Sequence, residues 1–255
     1  MTAAMLAPEI GKRQQESLLG RTNPLVKLGI ALAWLLGLGL TLDLRPPLIL
    51  TFVALLAALQ LGRVDPGVLA RRLAPLALAG LGIALVNLLF STHNPDPAAT
   101  EVLRIGPLRI TQEALAAAAG LGARIVAIVS VGAVFSLTTD VTRLVDSLVQ
   151  LGHLSPRFAY GALAAYQAIP RLFEDLGTLR AARRLRGLRE WDPRLLVGLL
   201  VRAIRHADQL AIAMDARGFG SGPRTTYRPV AWTQLDAIVG AAALLLLVVA
   251  LFVSR

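Results

Sequence analysis

Two stretches decide how this chain is organised: Leu179-Arg-Ala-Ala-Arg-Arg-Leu-Arg186-Gly187 and Ala213-Met-Asp-Ala-Arg217-Gly218-Phe-Gly220. Each reads as the last turns of a helix closed by Arg-Gly, and glycine is the usual residue just past a helix end. The two arginines stand 31 residues apart in an Arg-rich region that lies between apolar runs. A membrane chain that devotes about ninety residues to such an insert is built to grip something in the water phase.

The residues before each tip predict helices. Thr138-Thr139-Asp140 is an N-cap cluster for a short helix through Leu151. Ser155-Pro156 opens a second helix, with serine as cap and proline in the first turn, and Asp192-Pro193 opens a third in the same way. A seam runs along the second through Ala162, Ala165, Ile169, Leu172, Leu176 and Leu179, and the same stepping then reaches Arg183 and Arg186. In the third, Leu196, Leu200, Ala203, Ala207, Leu210 and Met214 lead to Arg217. These narrow, small-residue seams predict two closely crossing helices with cationic tips.

The rest of the chain reads as membrane. It is 55% hydrophobic with a mean hydropathy of +0.63, too apolar for a soluble domain of this length. Five spans are predicted, at about 25–42, 46–62, 73–90, 114–137 and 235–253. A hinge at Asp43-Leu-Arg-Pro-Pro47 joins the first two into a hairpin, and a basic turn with Arg63, Arg71 and Arg72 precedes the third. The connection from Ser91 to Glu113, with Asn94-Pro-Asp-Pro97 and Ile105-Gly-Pro-Leu-Arg-Ile110, predicts turns and short extended pieces. The expected organisation is a membrane region over 1–137, helices outside the membrane over 138–233, and a last span over 234–255. The start of the chain is too polar for a secretory signal peptide.

Charge sets the expected orientation. The net charge is +10, carried by 24 Arg with only Lys12 and Lys27 beside them. With the N-terminus cytoplasmic, twenty-one of these cations lie inside and four outside, Arg45, Arg104, Arg109 and Arg255. The C-terminus is then outside. Anionic lipid or an acidic protein surface suits such a charge, and nucleic acid does not, because the charge lies beside membrane spans.

Catalytic chemistry is hard to find. Cysteine is absent, which excludes thiol nucleophiles, disulfides and Cys-based metal sites. His93, His153 and His206 are scattered, with His206 placed on a helix surface. Gly11-Lys12 is followed by Arg13, so no P-loop is present, and neither HExxH nor a serine nucleophile elbow occurs. No carboxylate falls within a span except Asp236 at the very start of the last, against an ion relay. Arg124 does fall within one and must face other helices, water or a partner, or snorkel outward; Asn87 is a weaker polar residue of the same kind. No enzyme activity, cofactor or metal is expected.

Arginine at a helix end has an ordinary role, since the dipole there favours a cation by about 0.3–1 kcal/mol. That covers one such residue better than two with the same Arg-Gly ending. A guanidinium is also a planar fork for carboxylates, so two forks suit a partner with two acidic grooves. Arg180, Arg183, Arg184 and Arg189 read as a general electrostatic collar near the lipid or partner surface.

The pattern resembles the transmembrane coupling subunit (T component) of energy-coupling factor transporters, ABC-type importers of vitamins and of cobalt or nickel. The resemblance covers nearly the whole chain. It rests on Arg21-Thr-Asn-Pro-Leu-Val-Lys-Leu28, Ile105-Gly-Pro-Leu-Arg-Ile-Thr-Gln-Glu113, Thr138-Thr139, Ile169-Pro-Arg-Leu-Phe-Glu174, Arg186-Gly187, Ala213-Met-Asp-Ala-Arg-Gly-Phe219 and Arg224-Thr-Thr-Tyr227. In that family two Ala-Arg-Gly-type motifs end two coupling helices and dock two ATPase subunits. Carried over, the second motif is Ala216-Arg217-Gly218. The first is Leu185-Arg186-Gly187, with Leu in place of a small residue, and Arg183 after Ala182 is a rival to Arg186. The resemblance implies an all-α membrane fold and two ABC ATPase partners. It also implies a separate substrate-binding membrane protein (S component) that topples when the coupling helices move. The cargo, vitamin or metal, is recognised by that other protein.

Two other readings stay open: the permease of an ordinary ABC importer, and an Arg-rich membrane scaffold that binds anionic lipid.

Overall fold

The computed structural model describes residues 14, 16–41, 43–91, 100–105, 108–222 and 225–253. Lys12, Arg13, Leu42, His93, the Asn94–Pro97 turn, Gly106-Pro107, Arg224 and Arg255 lie outside them. The chain is an all-α membrane protein with one β-hairpin. In order come α1 (Leu18–Arg21), α2 (Pro24–Gly39), α3 (Arg45–Leu56) running into a π-helical turn at Ala57–Leu61, and α4 (Pro66–Leu89). Strands β1 (Glu101–Ile105) and β2 (Leu108–Thr111) pair antiparallel. Then follow α5 (Gln112–Thr138), α6 (Val141–Gln150), α7 (Pro156–Leu185), α8 (Arg194–Ala216) and α9 (Gln234–Phe252). The described residues form two compact units, one over 14–140 with 231–253, the other over 141–230.

In the first unit, α4, α5 and α9 are long and apolar enough to cross a membrane, while α2 and the α3–π segment are apolar but shorter. Helix α4 starts ahead of the third predicted span. Asp65 accepts from Gly67 N–H and Pro66 occupies the first turn, so Arg71 and Arg72 lie within α4 and the preceding turn is Gly62–Asp65. Ala31, Trp34 and Leu38 of α2, Leu50 and Ala54 of α3, Ala127 and Val131 of α5, and Ala243, Leu247 and Ala250 of α9 form the core. Lipid is as apolar as leucine, so such helices associate through close packing and interhelical hydrogen bonds. Both are present: α4 and α5 meet at Gly80, where a Cβ would strike Ile125, and the Trp34 indole donates to Ala243 O at 3.0 Å. The large side chains left outside the core, such as Leu36, Leu40, Phe52 and Leu78, face the surroundings that a bilayer supplies.

Two buried charges tie this unit together. Lys27, only 7% exposed, donates to Thr138 O at 2.6 Å and so meets the negative end of α5. Asp236, 2% exposed, accepts from Asn23 N–H at 2.6 Å and from Thr233 N–H and Oγ1 at 2.8 Å. This couples the start of α2 to the capping box that opens α9.

The second unit is α6 packed on the first turns of α7, and α7 paired antiparallel with α8. Ser155 caps α7 as predicted, its Oγ accepting from Phe158 N–H, with Pro156 in the first turn. Helix α8 starts one residue later than expected, at Arg194, whose N–H donates to Asp192 Oδ1 at 2.9 Å. The Tyr160 hydroxyl donates to the buried Asp146 at 3.0 Å across the α6–α7 contact. Burial first, then this hydrogen bond and the neighbouring carboxylate charge, push the phenol above its usual pKa.

Candidate docking site

Both arginine tips are built on the same cap. In α7, Gly187 N–H donates to Arg184 O and Leu188 N–H to Arg183 O; in α8, Gly218 N–H donates to Asp215 O and Phe219 N–H to Met214 O. These are the paired bonds of a Schellman motif, which satisfy carbonyls that a helix end leaves without donors. The motif needs a left-handed residue after the cap, and Gly187 (φ 69°) and Gly218 (φ 70°) supply it without a Cβ penalty. The residue before each is the cap itself: Arg186 at φ −90°, ψ 8°, and Arg217 at φ −90°, ψ 9°. One backbone geometry therefore launches both guanidinium groups.

Arg186 and Arg217 are exposed, and neither side chain has a hydrogen bond or ion pair with a described residue. Arg183 is different. Its Nε donates to Arg189 O at 3.0 Å and its Nη2 pairs with Asp192 Oδ2 at 2.8 Å, folding the 186–193 loop back on the last turn of α7. The Asp192 carboxyl is held below the usual carboxylate range, chiefly by Arg194 N–H and then by Arg183. The arginines read as a diffuse collar share in this folding. Arg180 stacks 4.9 Å above the Trp191 ring, and Arg184 pairs with Glu190 at 2.7 Å. Ala216 is the exposed final residue of α8, as Leu185 is of α7.

The α7–α8 pairing departs from the predicted seams in part. A cleft of about 240 Å³ opens between Ala165 and Leu172 of α7 and Ala203, Ala207, Leu210 and Met214 of α8, all seam positions. Ala162 and Ile169 are exposed instead, and Ala159 and Leu163 of the first turns are the buried ones. At the start of α8, Leu195 is buried while Leu196 and Leu200 are 54% and 60% exposed. The reason is that α8 is apolar on two faces: Leu196, Val197, Leu200, Val201, Ile204 and Ile212 form an outward stripe that α7 does not cover. His206 is not a simple surface residue. It is half-buried beside the cleft and bonds Arg171 Nη1 at 2.9 Å through Nε2; one helical turn away Arg202 pairs with Asp175 at 2.9 Å.

Because the pair is antiparallel, its two C-caps lie at opposite ends. The 23 residues of α8 separate the tips by roughly 35 Å at 1.5 Å per residue, far enough for two separate acceptors. Among the described residues no three His, Cys, Asp or Glu side chains gather as metal ligands.

Arg124 lies in the other unit, midway along α5, half-buried, its Nε buried without a hydrogen-bond partner. It stands 14 residues, about 21 Å along the helix, from the Thr138 end. Asn87 is exposed on α4.

The cobalt transport protein model, CbiQ, matches residues 15–227. The chain belongs to that family. Curated relatives agree with the match. The chain is 25% identical to the energy-coupling factor transporter transmembrane protein EcfT of Lactococcus lactis subsp. cremoris, over 94% of this chain and 95% of that one. It is 30% identical to EcfT of Heliobacterium modesticaldum, over 87% and 88%. A third relative, a putative ABC transporter ATP-binding protein of Bifidobacterium longum, is 25% identical over 96% of this chain, which spans 33% of that longer protein. The family membership bears out the resemblance read from the motifs, to the T component of energy-coupling factor transporters, and the all-α membrane fold with it. The chain is a transmembrane component of that transporter type.

Proposed function

We propose that this family member is the coupling subunit of its transporter: it docks two ATP-binding-cassette ATPases through Arg186 and Arg217 and passes their motion to a substrate-binding membrane protein. The observation that carries the reading is the pair of matching Schellman caps, each launching an arginine that no described side chain engages. Arg183 is tied to Asp192 and the loop, which favours Arg186 as the first docking residue. The similarity of this chain to one third of an ABC ATP-binding protein supports ATPase partners. The uncovered apolar stripe of α8, with Phe158, Ile169 and Phe173 of α7, suits contact with a membrane-embedded partner or the bilayer. The hydrolysis of ATP then belongs to the partners, and this chain serves without a catalytic residue or cofactor of its own.

The mechanism follows from the levers available. Each ATPase holds one tip, so closing of the ATPases on ATP changes the load on opposite ends of α7 and α8. The helices then shift against each other along the small-residue cleft, and their apolar outer faces carry the shift to the substrate-binding protein.

The test is copurification from detergent with the host's ATPase subunits. Wild type should retain two ATPases; Arg186→Glu and Arg217→Glu should each lose at least tenfold in retention and in coupled transport, with the membrane fold intact. Arg205→Glu, exposed on α8 away from both tips, should behave as wild type. Equal retention by all three variants would overturn the docking reading and turn attention to the lipid scaffold.

A further inference from the structure

We infer that Arg157, in the first turn of α7, is the positioning residue for the second docking tip. The inference rests on the docking reading of Arg217 and names what aims that arginine. The Arg157 Nη2 donates to Gly220 O at 2.9 Å across 63 residues of chain. The guanidinium also sits close against Gly220. A Cβ added at Gly220 would run into Nε and come within 3.0 Å of Cζ and Nη2. Gly220 has φ 80°, so it is glycine for two reasons: its left-handed backbone, and the space that Arg157 occupies.

This contact closes the segment that follows the cap. After Arg217 and Gly218, the Ser221 hydroxyl donates to Gly218 O at 2.7 Å, making a tight turn whose third residue is the one Arg157 holds. Farther on, Gln150 at the end of α6 donates to Arg228 O at 3.0 Å and accepts from Val230 N–H at 2.8 Å. The chain leaving the second tip is thus held at Gly220 by α7 and at Arg228–Val230 by α6. Between those holds nothing lies within 4 Å of a Cβ built on Gly222.

The first tip supplies the parallel. There Arg183, in the last turn of α7, bonds Arg189 O and Asp192 and fixes the loop that follows Arg186. So α7 carries a bracing arginine at each of its ends, Arg183 for the tip that it bears itself and Arg157 for the tip on its antiparallel neighbour. In both cases the guanidinium is spent on a backbone carbonyl of the loop just past the cap. These two arginines brace; Arg186 and Arg217 reach out.

The natural chain has no cysteine, so a single introduced thiol reports its own position. In the full-length chain co-expressed with its host's ATPase subunits, a spin label at Gly222→Cys reads the second loop and one at Leu188→Cys reads the first. Arg157→Ala should mobilise the label at 222, leave the label at 188 unchanged, and lower ATPase retention roughly 3- to 10-fold, the loss of one exposed hydrogen bond of ordinary strength. Arg157→Lys should recover part of both losses. Gly220→Ala, which attacks the same contact from the other side, should mobilise the 222 label with Arg157 intact. An immobile 222 label in Arg157→Ala would overturn the bracing role, and a mobile label with full ATPase retention would overturn its bearing on docking. Arg217→Glu separates the two ideas. If it loses the ATPases while Arg157→Ala keeps them, only the positioning inference falls; if it keeps them, the docking reading falls too.

Discussion

The arginines of the α7 end divide by what their guanidinium groups touch. Arg180, Arg183 and Arg184 each have a partner within the 186–193 loop or its flank, whereas Arg186 has none among the described residues. Composition could not separate them, and the sequence sets Arg186 apart only by the Gly187 that follows it. Asp192 is the residue whose titration can be followed. Its carboxyl sits below the ordinary aspartate value of about 3.9, held there by Arg194 N–H and Arg183. A lowered acid contributes stability that is fully present above its unfolded pKa and is lost as pH falls through the folded one. The first loop should therefore stay closed from pH 8 down to about 4 and open only below that. A spin label at Leu188→Cys, read across that range, should show no change above pH 5. Asp192→Ala should leave the label mobile at every pH, and loosening already between pH 6 and 5 would contradict the assignment.

At the scale of elements, caps were legible and partners were not. Ser155-Pro156 and the two Arg-Gly endings are local signals, and the helices start or stop beside them. The packed face of α8 was misread at its first turns because Leu196 and Leu200 are as apolar as the buried Leu195. Where a helix is apolar on two sides, periodicity does not say which side its neighbour covers. The Lys27–Thr138 and Asn23–Asp236 contacts join residues more than a hundred positions apart, beyond any local signal. Thr233-x-x-Asp236 did carry a readable capping-box pattern. Asp236→Ala removes the acceptor for Asn23 N–H and Thr233 at a buried site, which should cost about 1–3 kcal/mol. The measurable result is a lower thermal midpoint in detergent, with α9 loosened from the start of α2. An unchanged midpoint would mean that the start of α9 contributes little to the membrane unit.

For the molecule as a whole, the distribution of cations makes the orientation testable. With the N-terminus and the 141–230 unit cytoplasmic, a C-terminal tag should be reached by an impermeant reagent in intact cells and an N-terminal tag only after lysis. Cysteines introduced at the exposed positions Arg186 and Arg217 should be shielded in the same cells. The reverse pattern would invert the topology and remove the docking reading with it.

The antiparallel pairing of α7 with α8 has one more consequence. Two helices that run in opposite directions and end in the same cap are related by an approximate dyad through their midpoint, even though their sequences share little beyond Arg-Gly. On the docking reading, a chain without internal duplication thereby presents its two arginines as a symmetric dimer would. A partner assembled about its own twofold axis meets an equivalent arginine on each half, in the same backbone geometry and facing the same way relative to that axis. Neither half of such a partner needs a socket of its own design, and one gene's worth of helix hairpin can serve two identical or merely similar engines.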